Sequence, residues 1–61
     1  MKYKLIRHNE LIVSSCEDTR KYLTVGEVYE VDRIEVRSWH TRLYIDGRPF
    51  NSICFEKVIE S

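Results

Sequence analysis

The chain has 61 residues, 43% of them hydrophobic, and its ten basic and ten acidic side chains leave no net charge at pH 7. This length makes one small domain, which buries only about 60% of the surface that its unfolded chain exposes. The charge balance argues against broad capture of nucleic acid or of an anionic membrane. No apolar run approaches the roughly 20 residues of a membrane span, and the N-terminus lacks the apolar core of a signal peptide. We therefore expect a cytoplasmic protein with no membrane partner.

The first 21 residues predict short extended segments joined by a polar loop. Tyr3 and Leu5 alternate with lysines, so residues 1–10 contribute either a strand or an N-terminal arm. The apolar segment 11–13 is strand-like, and residues 16–21 are predicted as a polar loop. In a cytosolic chain the two cysteines, Cys16 and Cys54, are expected to be buried thiols, with a disulfide as the less favoured alternative.

The middle of the chain predicts a turn and then a strand with a change of phase. Gly26 suits a turn that needs a positive φ. Tyr29 and Val31 then share one face, whereas Ile34 and Val36 occupy positions of the other parity. Both pairs can face one core only if the strand bulges near residues 32–33, and such a bulge would bend the strand as a small barrel requires.

The last third carries the clearest local signal, a hairpin. Asp46-Gly47 lies between alternating segments, which is the signature of a type I′ turn. Pro49 cannot donate to a ladder and places its strand at an edge. Residues 53–59 predict one helical turn and a closing strand. No stretch of about 12 residues keeps a helical period.

These elements predict an all-β, SH3-like small barrel of about five short antiparallel strands, closed or nearly closed, in a single domain covering residues 1–61. The predicted core consists of the apolar residues that alternate along these strands: Leu5, Leu11, Val13, Leu23, Val25, Tyr29, Val31, Ile34, Val36, Leu43, Ile45, Phe50, Phe55 and Val58.

One sequence pattern resembles that of small hypothetical proteins of bacteriophages and prophages. It runs from Cys16 through an LTxGxxYEV box at residues 23–31 and the Asp46-Gly47 turn to a closing strand at 55–58. That family is similar to SH3-like barrels, so the resemblance implies a fold and a phage origin but no activity. The chain departs from the pattern at residues 35–42, predicted as a long basic connection, and at residues 51–54, where an aromatic-proline sequence is expected.

Catalytic and metal-binding functions lack their sequence signatures. Serines and two histidines are present, but there is no nucleophile elbow and no supported pair of carboxylates. Cys16, Cys54, His8 and His40 are spaced too widely for a zinc finger or ribbon. Two glycines cannot supply a phosphate loop. We therefore predict a protein that is not an enzyme and has no metal or cofactor.

The segment 37–42 is the strongest functional candidate, because it places the only tryptophan between two arginines and beside a histidine. Tryptophan and arginine are the residues most enriched at binding hot spots, and both also interact with bases and phosphates. The competing interpretation is that Trp39 closes one end of the barrel while the arginines are merely solvated. The predicted partner-binding residues are Arg37, Trp39, His40, Arg42, Tyr44 and Arg48.

The function predicted from this segment is binding without catalysis. We expect a phage-type module that docks on a bacterial host protein and modulates it, with Trp39 as its anchor. The first alternative is a nucleic-acid-binding barrel, in which Trp39 and Tyr44 stack on bases and the arginines contact phosphates. The second is an oligomer that binds a small nucleotide at its subunit interface, since a domain this small encloses little space.

Overall fold

The computed structural model describes residues 1–9, 16–38 and 40–59, and it forms six short strands, one helical turn and one 3₁₀ turn. In chain order the elements are β1 (Lys2–Leu5), α1 (Thr19–Tyr22), β2 (Val28–Glu30), β3 (Arg33–Val36), β4 (Thr41–Ile45), β5 (Arg48–Asn51), the 3₁₀ turn (Ser52–Cys54) and β6 (Phe55–Lys57). The predicted strand at residues 11–13 lies outside the described residues.

The strands form two three-stranded antiparallel sheets in one small domain, with orders β2-β1-β6 and β3-β4-β5. The all-β prediction is confirmed. Of the two forms predicted, closed or nearly closed, the closed barrel is not formed within the described ranges, because no described ladder joins the two sheets. The structure also has six strands where about five were predicted, since the chain breaks between β2 and β3 and the two halves pair in different sheets.

The N-terminal segment forms the central strand of the first sheet. Tyr3 lies opposite Tyr29 of β2 and opposite Lys57 of β6. The ladder extends past the strand ends, since the Val31 N–H donates to the Met1 carbonyl at 2.7 Å. Of the two roles predicted for residues 1–10, the described part, residues 1–9, therefore includes a strand that both edge strands need.

The passage from the first sheet to the second contains the predicted irregularity. In the β3–β4 ladder Arg33 is the partner of Tyr44, yet the N–H of Asp32 also donates to the Tyr44 carbonyl, at 2.8 Å. Two residues thus face one, which is the arrangement of a β-bulge. The extra residue shifts the alternation, so Val31 before it and Ile34 after it both pack in the core.

The predicted hairpin forms between β4 and β5. Asp46 and Gly47 both have positive φ, 52° and 78°, as a type I′ turn requires. β5 is an edge strand, as Pro49 predicted, and its outer side is covered where the Glu17 N–H donates to the Pro49 carbonyl at 2.8 Å. The predicted helical turn and last strand are the 3₁₀ turn and β6.

The core lies between the two sheets. Its buried members are Leu5, Val31, Leu43, Ile45, Phe50, Cys54 and Phe55, with Tyr3, Leu23, Tyr29 and Ile34 packed against it. Val58 is half-buried, and the predictions for Leu11 and Val13 lie outside the described residues. The predictions for Val25 and Val36 are wrong: their exposed fractions are 47% and 77%. Val25 lies in the turn before β2, and Val36 is the last residue of its strand, so neither is covered by the opposite sheet.

Both cysteines are buried and carry free thiols. Burial raises the pKa of the Cys54 thiol, although the positive charge of Arg7 opposes that rise. They act as small apolar side chains in this arrangement.

The polar loop predicted at residues 16–21 is partly a helix. Asp18 caps α1, because its carboxylate accepts a hydrogen bond from the Arg20 N–H at 3.0 Å. Hydrogen bonds from the Arg20 side chain, together with this backbone hydrogen bond, lower the pKa of Asp18. The loop prediction overlooked Asp18 as a residue that can cap a helix.

A buried cluster of hydrogen bonds ties α1 to the segment after β1. Thr19 is fully buried, and its hydroxyl donates to Asn9 Oδ1 at 2.7 Å while it accepts from the Asn9 N–H at 3.3 Å. His8 Nδ1 lies 2.9 Å from the hydroxyl oxygen of Thr19. Because the single hydroxyl proton is used on Asn9, His8 must donate from Nδ1. We call Thr19, Asn9 and His8 the Thr19 clamp.

Candidate binding face on the second sheet

The outer face of β3 and β4 gathers three arginines around one tyrosine and one glutamate. Alternation along β3 places Arg33 and Glu35 on one side of the strand, and Arg37, the residue after the strand, joins them through a hydrogen bond to Glu35. The register places Tyr44 opposite Arg33 and Arg42 opposite Glu35. We call these five residues the arginine face.

Glu35 holds the centre of this face. Its Oε1 accepts hydrogen bonds from Arg37 Nε at 3.1 Å, from Arg42 Nη2 and from the Tyr44 hydroxyl at 3.4 Å. Desolvation acts to raise the pKa of Glu35, but the hydrogen bonds from Arg42 and Arg37 outweigh it, so the pKa lies below the usual value. The carboxylate therefore fixes the positions of two guanidinium groups.

The arginines differ in how much of each side chain solvent can reach. The Arg42 side chain is 14% exposed, whereas the Arg37 side chain is 52% exposed. Arg33 is exposed, and its guanidinium carbon lies 4.2 Å from the centre of the Tyr44 ring, a stacked cation–π arrangement. Arg33 and Arg37 are thus the groups that a partner can reach, and Arg42 supports them from within.

The face is locally positive although the whole chain is neutral. Three arginines against one glutamate leave an excess of positive charge on one side of the second sheet. A surface of this kind attracts carboxylates or phosphates, since a guanidinium can bind either group with two parallel hydrogen bonds.

The structure brings together some of the predicted binding residues and separates others. Arg37, Arg42 and Tyr44 belong to the arginine face, and His40 lies beside it, where its carbonyl accepts from the Arg37 N–H at 2.8 Å. Arg48 is not part of the face, because its ladder partner is the buried Ile45, on the opposite side of the sheet.

Two further sequence expectations change at this site. The prediction for Trp39 lies outside the described residues. The long connection predicted at residues 35–42 is wrong, because β3 continues to Val36 and β4 begins at Thr41, which leaves a short loop between them. Half of that basic stretch is therefore strand, and the β3–β4 ladder is what places Arg42 opposite Glu35.

Sequence reasoning missed Arg33 and Glu35. Glu35 lies in a stretch that was predicted only as a basic connection, whereas its carboxylate organises the arginine face. The signal that could have identified both residues is their even spacing with Arg37, which puts all three on one side of any strand through residues 33–37.

Other features of the described ranges add little to this site. No three His, Cys, Asp or Glu residues in residues 1–9, 16–38 and 40–59 are grouped so that they could hold a metal ion. No helix in that part of the chain is long and apolar enough to cross a membrane.

Comparison of the chain with protein-family models, with curated proteins and with solved structures gives no significant match. The resemblance to phage and prophage proteins therefore stays a prediction, and the argument for function rests on the arginine face.

Proposed function

We propose that the protein is a binding module without catalytic activity, which docks through the arginine face on an acidic surface of a partner protein. The observation that carries this proposal is the arrangement around Glu35, whose carboxylate holds Arg37 and Arg42 in place. Ordering a side chain before binding reduces the entropy that association costs. Arginine held in this way is the residue type found at binding hot spots.

A protein partner suits this face better than a nucleic acid. Base stacking requires an uncovered aromatic ring, and Arg33 lies against the ring of Tyr44. The neutral chain also lacks the overall positive charge that is typical of nucleic-acid-binding domains.

The resemblance to phage and prophage proteins supports a narrower form of the proposal. In that form the partner is a bacterial host protein in the host cytoplasm, and docking modulates that protein by covering part of its surface. Trp39 stands in sequence between Arg37 and His40, and we keep it as the proposed apolar anchor.

The test is a pull-down from bacterial lysate by the tagged protein, with and without nuclease, read by mass spectrometry. We expect one dominant protein that survives nuclease and is lost with the double variant Arg33→Gln and Arg37→Gln. The matched control is Arg20→Gln, which removes an exposed arginine of α1 that belongs to neither the arginine face nor its ladder. Trp39→Ala in the same assay tests the anchor.

Three results would contradict this function or direct attention to its alternatives. Capture that does not change in the double variant rules out the arginine face. Capture that disappears with nuclease, together with an affinity that falls steeply with salt, favours nucleic acid. A mass in solution larger than one chain, with no captured protein, favours the nucleotide-binding oligomer.

A further inference from the structure

A small cleft lies on the other side of the second sheet, where the hairpin meets α1 and β2. It encloses about 120 Å³ and is walled by Tyr22, Leu23, Tyr29, Ile45 and Phe50. The rings of Tyr22 and Phe50 meet edge to face with centres 6.4 Å apart. The Tyr29 hydroxyl accepts from the Thr24 N–H at 2.8 Å, which fixes the position of that ring. Three held aromatic rings therefore give the cleft a defined shape.

The size of the cleft limits what it can hold. Its volume is that of about four water molecules in the liquid, and pockets for whole small molecules are several hundred cubic ångströms. One branched aliphatic side chain of leucine size fills it, whereas a nucleotide would lie mostly outside.

The rim adds two opposite charges that do not pair with each other. Arg48 and Asp46 both line the cleft, and neither forms an ion pair with another described residue. The Arg48 guanidinium carbon lies 4.3 Å from the centre of the Tyr22 ring. Stacking uses the face of the guanidinium and leaves the N–H groups at its edge to bind a carboxylate with two hydrogen bonds. The Asp46 carboxylate is an acceptor that suits a peptide N–H and disfavours a phosphate with two negative charges.

We propose that this cleft is a second binding site, for a short peptide segment in which a leucine-sized side chain stands next to an aspartate or glutamate. The aliphatic side chain fills the cleft, the neighbouring carboxylate binds Arg48, and Asp46 accepts a backbone N–H. The cleft offers apolar walls and the arginine face offers charged groups on the other side of the sheet, so the two sites recognise different features and either proposal can fail without the other.

The test uses capped dipeptides and two-dimensional amide NMR of the intact protein. Acetyl-Leu-Glu-amide is titrated first, and we expect saturable shifts at Leu23, Tyr29, Ile45 and Phe50 with a Kd of roughly millimolar order. Acetyl-Leu-Gln-amide and the variant Arg48→Gln each remove the charged pair, and each is expected to weaken binding about tenfold or more. Acetyl-Ala-Glu-amide, which leaves the cleft unfilled, is expected to bind too weakly to saturate.

The structure provides a closely matched control. Arg33 stacks on Tyr44 on the opposite face in nearly the same geometry as Arg48 on Tyr22, with 4.2 Å against 4.3 Å. Arg33→Gln should leave the dipeptide affinity unchanged. Tyr22→Ala removes the partly exposed ring that forms one wall of the cleft and should weaken binding.

Four outcomes overturn the proposal. They are the absence of saturable shifts, equal affinity for the Glu and Gln peptides, equal weakening by Arg33→Gln and Arg48→Gln, and tighter binding of adenosine monophosphate than of acetyl-Leu-Glu-amide. Unchanged spectra of the unliganded variants outside the mutated site establish that each remains folded.

Discussion

Glu35 organises the arginine face although it is the one acidic residue of the basic stretch 35–42. In the fold its carboxylate accepts from Arg37, Arg42 and Tyr44. The difference arises because the cross-strand neighbour, Arg42, is seven positions away along the chain and directly opposite in the ladder.

The lowered pKa of Glu35 predicts a particular pH dependence. A carboxylate with a lower pKa in the folded state contributes stability that is fully present above its unfolded pKa and is lost as the pH falls through the folded value. We expect Glu35→Gln to be less stable than the wild type at neutral pH, with the gap closing below about pH 4.5. Urea denaturation over this pH range measures both curves.

Asp18 provides the control for that experiment, because its pKa is also lowered but it caps α1 away from the arginine face. In the Asp18→Asn variant, the free energy of unfolding should still show the pH dependence that Glu35 contributes. A gap between wild type and Glu35→Gln that stays constant from about pH 7 to about pH 3 would contradict the proposed role of the carboxylate.

At the scale of elements, the hairpin was predictable and the helical turn was not. Asp46-Gly47 determines its turn locally, because only residues that tolerate positive φ suit a type I′ turn. The turn α1 has only four residues, too few for any periodicity, and its formation depends on Asp18 and on the burial of Thr19. Short elements of this kind are set by their surroundings.

The hairpin prediction concerns Gly47. Its φ of 78° lies in the left-handed region, so Gly47→Ala should lower the free energy of unfolding by about 1 to 2 kcal/mol. No atom lies within 4 Å of the position of the added methyl group, so a loss reports backbone strain and not a clash. Chemical denaturation measures the change.

Asp46→Asn is the matched control for the turn. Asparagine also tolerates positive φ, and we expect it to keep the stability within about 0.5 kcal/mol. If Gly47→Ala is as stable as the wild type, the turn is not the type I′ turn described above.

At the scale of the whole molecule, the Thr19 clamp connects segments that the two sheets do not join. It links residues 8 and 9, after the central strand of the first sheet, to α1. Just before α1, the Glu17 N–H donates a hydrogen bond to the Pro49 carbonyl of β5, in the second sheet. A small domain with a limited core gains much from such a connection.

Thr19→Val tests this connection. Valine keeps the shape of threonine but removes its hydroxyl. The Asn9 N–H and His8 Nδ1 then lose an acceptor, and Asn9 Oδ1 loses a donor. We expect the free energy of unfolding to fall by about 1 to 3 kcal/mol, which lowers the Tm by roughly 4 to 8 °C for each kcal/mol in a domain this small. Thermal unfolding followed by circular dichroism measures it.

Thr24→Val is the corresponding change at an exposed threonine. The interaction of Thr24 is made by its backbone N–H, which donates to the Tyr29 hydroxyl and survives the substitution. A Tm for Thr19→Val equal to that of Thr24→Val would show that the clamp does not stabilise the fold.

Neighbouring residues were enough to predict the alternating strands, the type I′ turn, the edge strand at Pro49 and the bulge at Asp32-Arg33. Which residues meet across strands and between sheets could be read only from the fold. It joined Glu35 to Arg42, placed Arg48 with Tyr22 on the opposite side, exposed Val36 and buried Thr19. The physical reason is that turn and strand preferences are local, whereas burial and charge pairing depend on registers that bring distant residues together.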